Sequence, residues 1–275
     1  MTERVLLAGC GDLGMRVAQR LLARGDEVWA LRRSPAHDDG HGVRWLRGDL
    51  TQPESLRALP EGITHVVYAP TPGAREEAAY RAVFADGLKH LLDALSASPL
   101  QRVLFVSSSA VYGEHGDAWV DEETPPAPPG FNGRVLLEAE RWLAAQAVPS
   151  ISLRLAGIYG PGRMQLVERL RAGEAKVPRD PPHWSNRIHA DDAAAAIAHL
   201  LALPAPESVY VGVDDTPLPM HALYEHLAQQ IGAPRPADGP APPGIGSKRL
   251  SNARLRASGF ALRWPDAREG YRALL

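Results

Sequence analysis

The sequence predicts a doubly wound α/β fold, a parallel sheet with helices on both faces. Three observations predict it. An apolar run, Val5-Leu6-Leu7-Ala8, leads into a turn with glycines at 9, 11 and 14, strand-like runs alternate with helical segments after it, and proline clusters fall between these segments. The first strand is expected at 4–8. The glycines of the turn differ in what they do. Gly9 closes a tight strand-to-helix turn, Gly11 lets a phosphate approach the backbone, and Gly14 lets the helix pack closely on the strand. Asp12 and Leu13, where the turn meets the helix expected at 13–24, are expected to contact the cofactor, with Val17, Leu21 and Leu22 at helical spacing and Gly25 ending the helix. Strands follow at 27–31, 43–46, 64–68, 102–107 and 150–154, with helices at 53–59, 75–97 and 132–146 between them. The long one should bury Ala79, Val83, Leu88, Leu91, Leu92 and Leu95.

Beyond that, an alanine-rich helix follows His189 with Asp191 as its N-cap, then a short strand at 208–211 and a helix near 221–231. The proline clusters 124–129, 178–182 and 234–243 cannot be regular structure and mark loops over a cleft or between subdomains. The domain expectation is a nucleotide domain over 1–160, completed by about 187–213, with 161–186 and 214–275 forming a smaller α/β lobe on the substrate side.

Composition narrows the function. The 275 residues suffice for a sizeable core, 45% are hydrophobic and 23% charged, and the net charge of −2 gives no general attraction to nucleic acid or anionic lipid. No apolar run reaches bilayer-spanning length and no leader pattern opens the chain, so a cytoplasmic protein with no membrane partner is expected. One cysteine, Cys10, excludes an internal disulfide framework, and the ten histidines show no metal-ligand spacing. Ser107 to Ser109 lack the flanking glycines of an esterase elbow.

The glycine turn therefore reads as a dinucleotide site, with a pyrophosphate on the free N–H groups of the following helix. At the tip of the second strand, where an acid would hold the adenosine ribose of NAD, the chain has Arg32-Arg33-Ser34. Guanidinium groups pair with a 2′-phosphate, so NADP is expected ahead of NAD, solvated surface charge being the alternative.

Five segments in order resemble the extended short-chain dehydrogenase/reductase superfamily, which includes the NAD(P)-dependent epimerases and dehydratases of nucleotide sugars. They are Gly48-Asp49-Leu50, Tyr68-Ala69-Pro70, Val106-Ser107-Ser108-Ser109-Ala110-Val111-Tyr112-Gly113, Arg154 to Gly162 and Asn186 to Asp192. The resemblance implies a Rossmann fold and adds Asp49 and Leu50 at the adenine, Ala69, Pro70 and Ser107 beside the cofactor, and Ala156, Gly157 and Ile158 at the nicotinamide. It places Ser108 at the catalytic hydroxyl and implies a small-molecule substrate, with a homodimer as one oligomeric option.

Where such enzymes carry Tyr-x-x-x-Lys, this chain reads Gly130-Phe131-Asn132-Gly133-Arg134. Arg134 takes the lysine position and could hold the ribose, but it stays protonated, so it cannot act as an acid, and no hydroxyl replaces the tyrosine. Loss of a general acid forfeits about 10²–10⁴ in rate. The pattern from Gly133 to Glu140, followed by Trp142, resembles an atypical YeeZ-like branch. His115, Arg163 and Arg187 are candidate substrate contacts, the arginines for an anionic group, with pairing to a nearby acid as the alternative. Tyr112 and Tyr159 read as packing beneath the nucleotide, and His189 is not favoured as the acid. Two functions remain: an NADP-dependent epimerase, dehydratase or reductase using Ser108, or a catalytically silent NADP-binding sensor or scaffold.

Overall fold

A computed structural model describes residues 2–34 and 42–275. Seven strands pair in parallel: β1 (Arg4–Ala8), β2 (Glu27–Arg32), β3 (Arg44–Arg47), β4 (His65–Tyr68), β5 (Arg102–Ser108), β6 (Ser150–Leu155) and β7 (Val209–Gly212). Their order is β7-β6-β5-β4-β1-β2-β3. The chain builds outward from β1 through β2 and β3, then crosses back to β4 and builds the other way. A sheet of this kind opens a crevice beyond the carboxyl ends of its strands where the order reverses, here between β1 and β4.

Alternation along β1 shows how the core is divided. Leu6 and Ala8 join one apolar cluster with Trp29, Phe105 and Leu88, whereas Val5 and Leu7 join another with Val28, Ala30 and Leu21. Successive side chains of a strand point to opposite faces, so a fully apolar strand needs a layer on each side. On the first face lie α3 (Gly87–Ala94) and α4 (Phe131–Ala144); on the second lie α1 (Asp12–Ala23) and α6 (Ala190–Ala202). Val17 and Leu21 of α1 are wholly buried, each worth about 1.5–3 kcal/mol of apolar transfer. α1 ends at Gly25, whose φ of +92° only glycine adopts without strain.

Three elements differ from expectation. The helix expected at 53–59 is a single 3₁₀ turn, Pro53–Leu56, with Pro60 blocking extension. The long segment runs as α2 (Glu77–Tyr80), a π-helical turn at Arg81–Asp86, and α3. The wider turn inserts a residue and moves the buried stripe, so Phe84 and Ala85 are buried where Val83 is half-buried; Ala79 and Leu92 are half-buried too. Asp191 is not the N-cap of α6. His189 is, its Nδ1 accepting from the Asp191 amide at 3.1 Å, while Asp191 lies in the first turn, 2.6 Å from Arg16.

A third apolar cluster, with Tyr159, Val167, Leu223, Leu227 and Tyr271, lies under α5 (Gln165–Arg171), α7 (Met220–Gln230) and the C-terminal helix Ala267–Arg272. Two-residue strand pairs tie the outer segments together: Trp184–Ser185 with Leu218–Pro219, Trp119–Val120 with Arg249–Leu250, and Lys176–Val177 with Ala237–Asp238, the last inside the third proline cluster. Gly157–Tyr159 pairs with Arg187–His189 in the same way. No helix among the described residues is long and apolar enough to cross a membrane.

Candidate functional site

Among the described residues, two clefts open at the carboxyl ends of the strands. The first lies over β1, β2 and β4 and is walled by Gly9, Gly11, Arg32, Arg33, Ser34, Asp49, Leu50 and Pro70. Local geometry explains the glycines. Gly9 has φ +87°, and a Cβ there would run into the Pro70 ring; Gly11 would present a Cβ to open space; at Gly14 it would lie 3.0 Å from Cys10 Sγ. So Gly14 accommodates the turn's own cysteine. Gly11 is the N-cap of α1 and supplies no side-chain cap, which leaves the amino end of α1 free to meet an anion.

Around this cleft the polar groups are held unevenly. Asp49 Oδ1 accepts from the Thr51 amide at 2.9 Å and the Thr51 hydroxyl at 2.8 Å. Arg32 lies 5.7 Å from the Trp45 ring centroid, and neither Arg32 nor Arg33 pairs with an acid among the described residues. Asp12 is held between Arg16 and Arg163, at 3.1 Å from each. Arg163 thus takes the ion-pair alternative and lines neither cleft.

The second cleft lies over β5 and β6. Its walls include Ser108, Asn132, Ala156, Gly157, Arg187 and Lys248, with His183 and Tyr224. Ser108 Oγ accepts from the Ala110 amide at 3.2 Å, which leaves the hydroxyl hydrogen available to another acceptor. Arg187 Nε donates to Ser185 Oγ at 3.0 Å.

Several residues expected here stand elsewhere. Arg134 lines neither cleft; on α4 it is exposed, donates to the Pro129 carbonyl at 3.3 Å and lies 4.0 Å from Glu77. The helix start explains this. A Cβ at Gly133 would collide with the Ala110 carbonyl, so the glycine face of α4 abuts the Ser109–Val111 turn, Phe131 packs edge-on against Tyr80, and Asn132 reaches the cleft. His115 also lines neither cleft, and its Nε2 is buried without a partner among the described residues. Leu13, Ala69, Ser107 and Ile158 line neither.

Ser107 instead enters a buried network. Its hydroxyl donates to Glu140, which accepts from Arg154 Nη2 at 2.7 Å; Arg154 Nη1 donates to Tyr112 Oη at 2.8 Å, and Tyr112 donates to the Asp121 carbonyl at 2.7 Å. Burial pushes the Tyr112 phenol up to about 12 against the pull of Arg154. Tyr159 is stacked on Tyr271 at 4.3 Å, and burial raises its phenol as well. Both tyrosines are buried, Tyr159 in the third apolar cluster, and neither lines the first cleft.

Sequence reasoning missed Asn132, His183, Tyr224 and Lys248. Lys248 is 3% exposed; its Nζ donates to the Gly246 carbonyl at 2.9 Å and reaches the Gly113 carbonyl at 3.5 Å. Burial pulls its ammonium down to about 8, opposed by the Glu114 carboxylate. Burial likewise lowers the His183 imidazole, Glu114 opposing and Lys248 assisting. The sole signal in the sequence was scarcity: the chain has only Lys89, Lys176 and Lys248.

Residues 5–212 match the family described as the NAD dependent epimerase/dehydratase family. The chain belongs to that family. Protein YeeZ of Escherichia coli K12 is 29% identical over 277 residues, covering 96% of this chain and 97% of YeeZ. A structure from Methylobacillus flagellatus, provisionally described as an NAD-dependent epimerase/dehydratase, is 42% identical with a TM-score of 0.83, covering 100% of this chain and 98% of its own. MoeE5, solved in complex with UDP-glucuronic acid and NAD, is 25% identical with a TM-score of 0.83, covering 99% of this chain and 100% of its own. The family fold and the atypical short-chain dehydrogenase/reductase resemblance read from the motifs therefore agree.

Proposed function

We propose that the chain binds NADP(H) over β1, β2 and β4 and uses it to oxidise or reduce a small carbonyl or hydroxyl compound seated over β5 and β6. The observation that carries this reading is the glycine turn. It delivers the uncapped amino end of α1 into a cleft whose far wall is Arg32-Arg33-Ser34. Those residues fit a dinucleotide: bare backbone and a helix dipole for the pyrophosphate, Asp49 for an adenine amino group, and two guanidiniums with no acid partner among the described residues for a 2′-phosphate.

When bound, the nicotinamide supplies or accepts a hydride. The chain's own part is to hold the substrate and manage the proton. Ser108 directs its hydroxyl hydrogen at the substrate oxygen, because its lone pair is already engaged by the Ala110 amide. Asn132 and Arg187 orient the rest of the substrate, Arg187 favouring an anionic group. On this reading residues 161–186 and 214–275 form the substrate side. The second reading, a nucleotide sensor without turnover, draws on Arg134 facing away from both clefts.

Turnover separates the two. Purified protein with NADPH and a panel of aldehydes, ketones and 3-oxo acids should consume at least one, and Ser108→Ala should abolish it. Tight NADPH binding with no consumption across the panel would favour the sensor.

A further inference from the structure

Lys248 is a cation in an expensive place. No carboxylate lies within ion-pairing distance of it among the described residues, and its two protein acceptors are carbonyls. A buried, unpaired ammonium destabilises a fold, and such groups concentrate where chemistry needs them. The surroundings are built to hold it. The Ser247 amide donates to Glu114 at 2.7 Å, the Lys248 carbonyl accepts from Asn186 Nδ2 at 3.0 Å, and Gly246 abuts Gly113 so closely that no side chain fits there. Gly113 and Glu114 continue the segment that carries Ser108, so the amine is clamped to the wall that carries the serine.

Residue type sharpens the point. The chain has 30 Lys and Arg in all, and just three are lysines. Lys89 is half-buried and Lys176 exposed; only Lys248 is buried. A guanidinium in its place would stay charged at any working pH, whereas an amine can release its proton.

We propose that Lys248 is the proton-exchanging catalytic residue of the second cleft, doing there what the missing tyrosine does elsewhere in the family; this rests on the oxidoreductase reading above. In reduction the substrate C=O π bond breaks, its carbon gains a hydride from the reduced dinucleotide, and its oxygen gains the proton released by Nζ. The substrate is reduced by two electrons, the dinucleotide is oxidised by two, and the lysine is left as a neutral amine that regains its proton from water. Oxidation of an alcohol runs the same steps backwards. The charged and titratable groups facing the amine are Glu114, which favours the ammonium, and His183, with Arg187 on the same cleft wall. An ammonium held down to about 8 by burial is poised to exchange at neutral pH.

With only three lysines, the test is direct. In protein labelled with ¹³C at lysine Cε, one of the three signals should titrate near 8 and vanish in Lys248→Met. Its midpoint should be lower with NADP⁺ bound than with NADPH bound, since the two differ by the charge on the nicotinamide ring. A Lys248 signal titrating at the ordinary lysine value of about 10.4, or one with the same midpoint under both nucleotides, overturns the proposal. Absence of nucleotide binding by calorimetry would instead sink the oxidoreductase reading, leaving the titration of the free protein to be judged alone. In turnover of a carbonyl that the wild type reduces, Lys248→Met should lower the rate about 10²–10⁴-fold. It should also erase the fall in rate above pH 8, with thermal melting confirming the fold. Tyr224→Phe should leave that pH profile in place; loss of the inflection in Tyr224→Phe, and its survival in Lys248→Met, would assign the proton to the tyrosine.

Discussion

The two clefts are built by different means. The one over β1, β2 and β4 is made of backbone: glycines that permit a tight turn, a helix end without a cap, and strand tips close together in sequence. The one over β5 and β6 is made of side chains from six separate stretches, at 108–110, 132, 156–157, 183–187, 220–224 and 242–248, held by buried polar networks. A nucleotide common to many enzymes can be met by a generic device, and the specific half must be assembled from distant loops.

If this contrast is right, breaking a network should harm the second half most. Glu140→Ala leaves Arg154 buried without its carboxylate and should cost about 3–5 kcal/mol of stability, seen as a lowered denaturant midpoint. Gly133→Ala forces a Cβ against the Ala110 carbonyl and should cost about 1–3 kcal/mol, with Ser108 displaced and turnover reduced more than NADPH affinity. Equal losses of both would show that the halves are not independent.

In the first cleft, side chains should matter only for choice of nucleotide. Arg33→Ala should weaken NADPH binding by about 1.5–3 kcal/mol and leave NADH unchanged. Matched effects on both nucleotides would remove the 2′-phosphate from that wall.

A further effect concerns pH. Asp214 is 2% exposed, and burial pushes its carboxyl up to about 8. Raised above its unfolded value, it keeps a proton in the folded chain that the unfolded chain has released, so it lowers stability progressively as pH rises from about 4 to 8. Asp214→Asn should melt higher than the wild type at pH 8 and nearly equal to it at pH 4; a constant offset would contradict the assignment.

The same contrast explains what the sequence disclosed. β1, the glycine turn and α1 were legible because periodicity and turn chemistry are local, and the Gly48-Asp49 segment followed from its motif. The π-helical turn at Arg81–Asp86 was not, since one extra residue per turn leaves the apolar pattern looking helical. Lys248 and His183 were invisible because they sit in irregular loops, where only tertiary folding brings them to Ser108. Arg134 was placed by motif spacing, yet the packing of Gly133 on the Ser109–Val111 turn turns that arginine away.

The amino end of α1 and the Arg32-Arg33-Ser34 wall are proposed to hold a phosphorylated dinucleotide. Calorimetric titration of the wild type with NADPH and NADH tests it most directly. Both should bind, NADPH at least about tenfold tighter, a difference of about 1.4 kcal/mol. No heat with either nucleotide would contradict it.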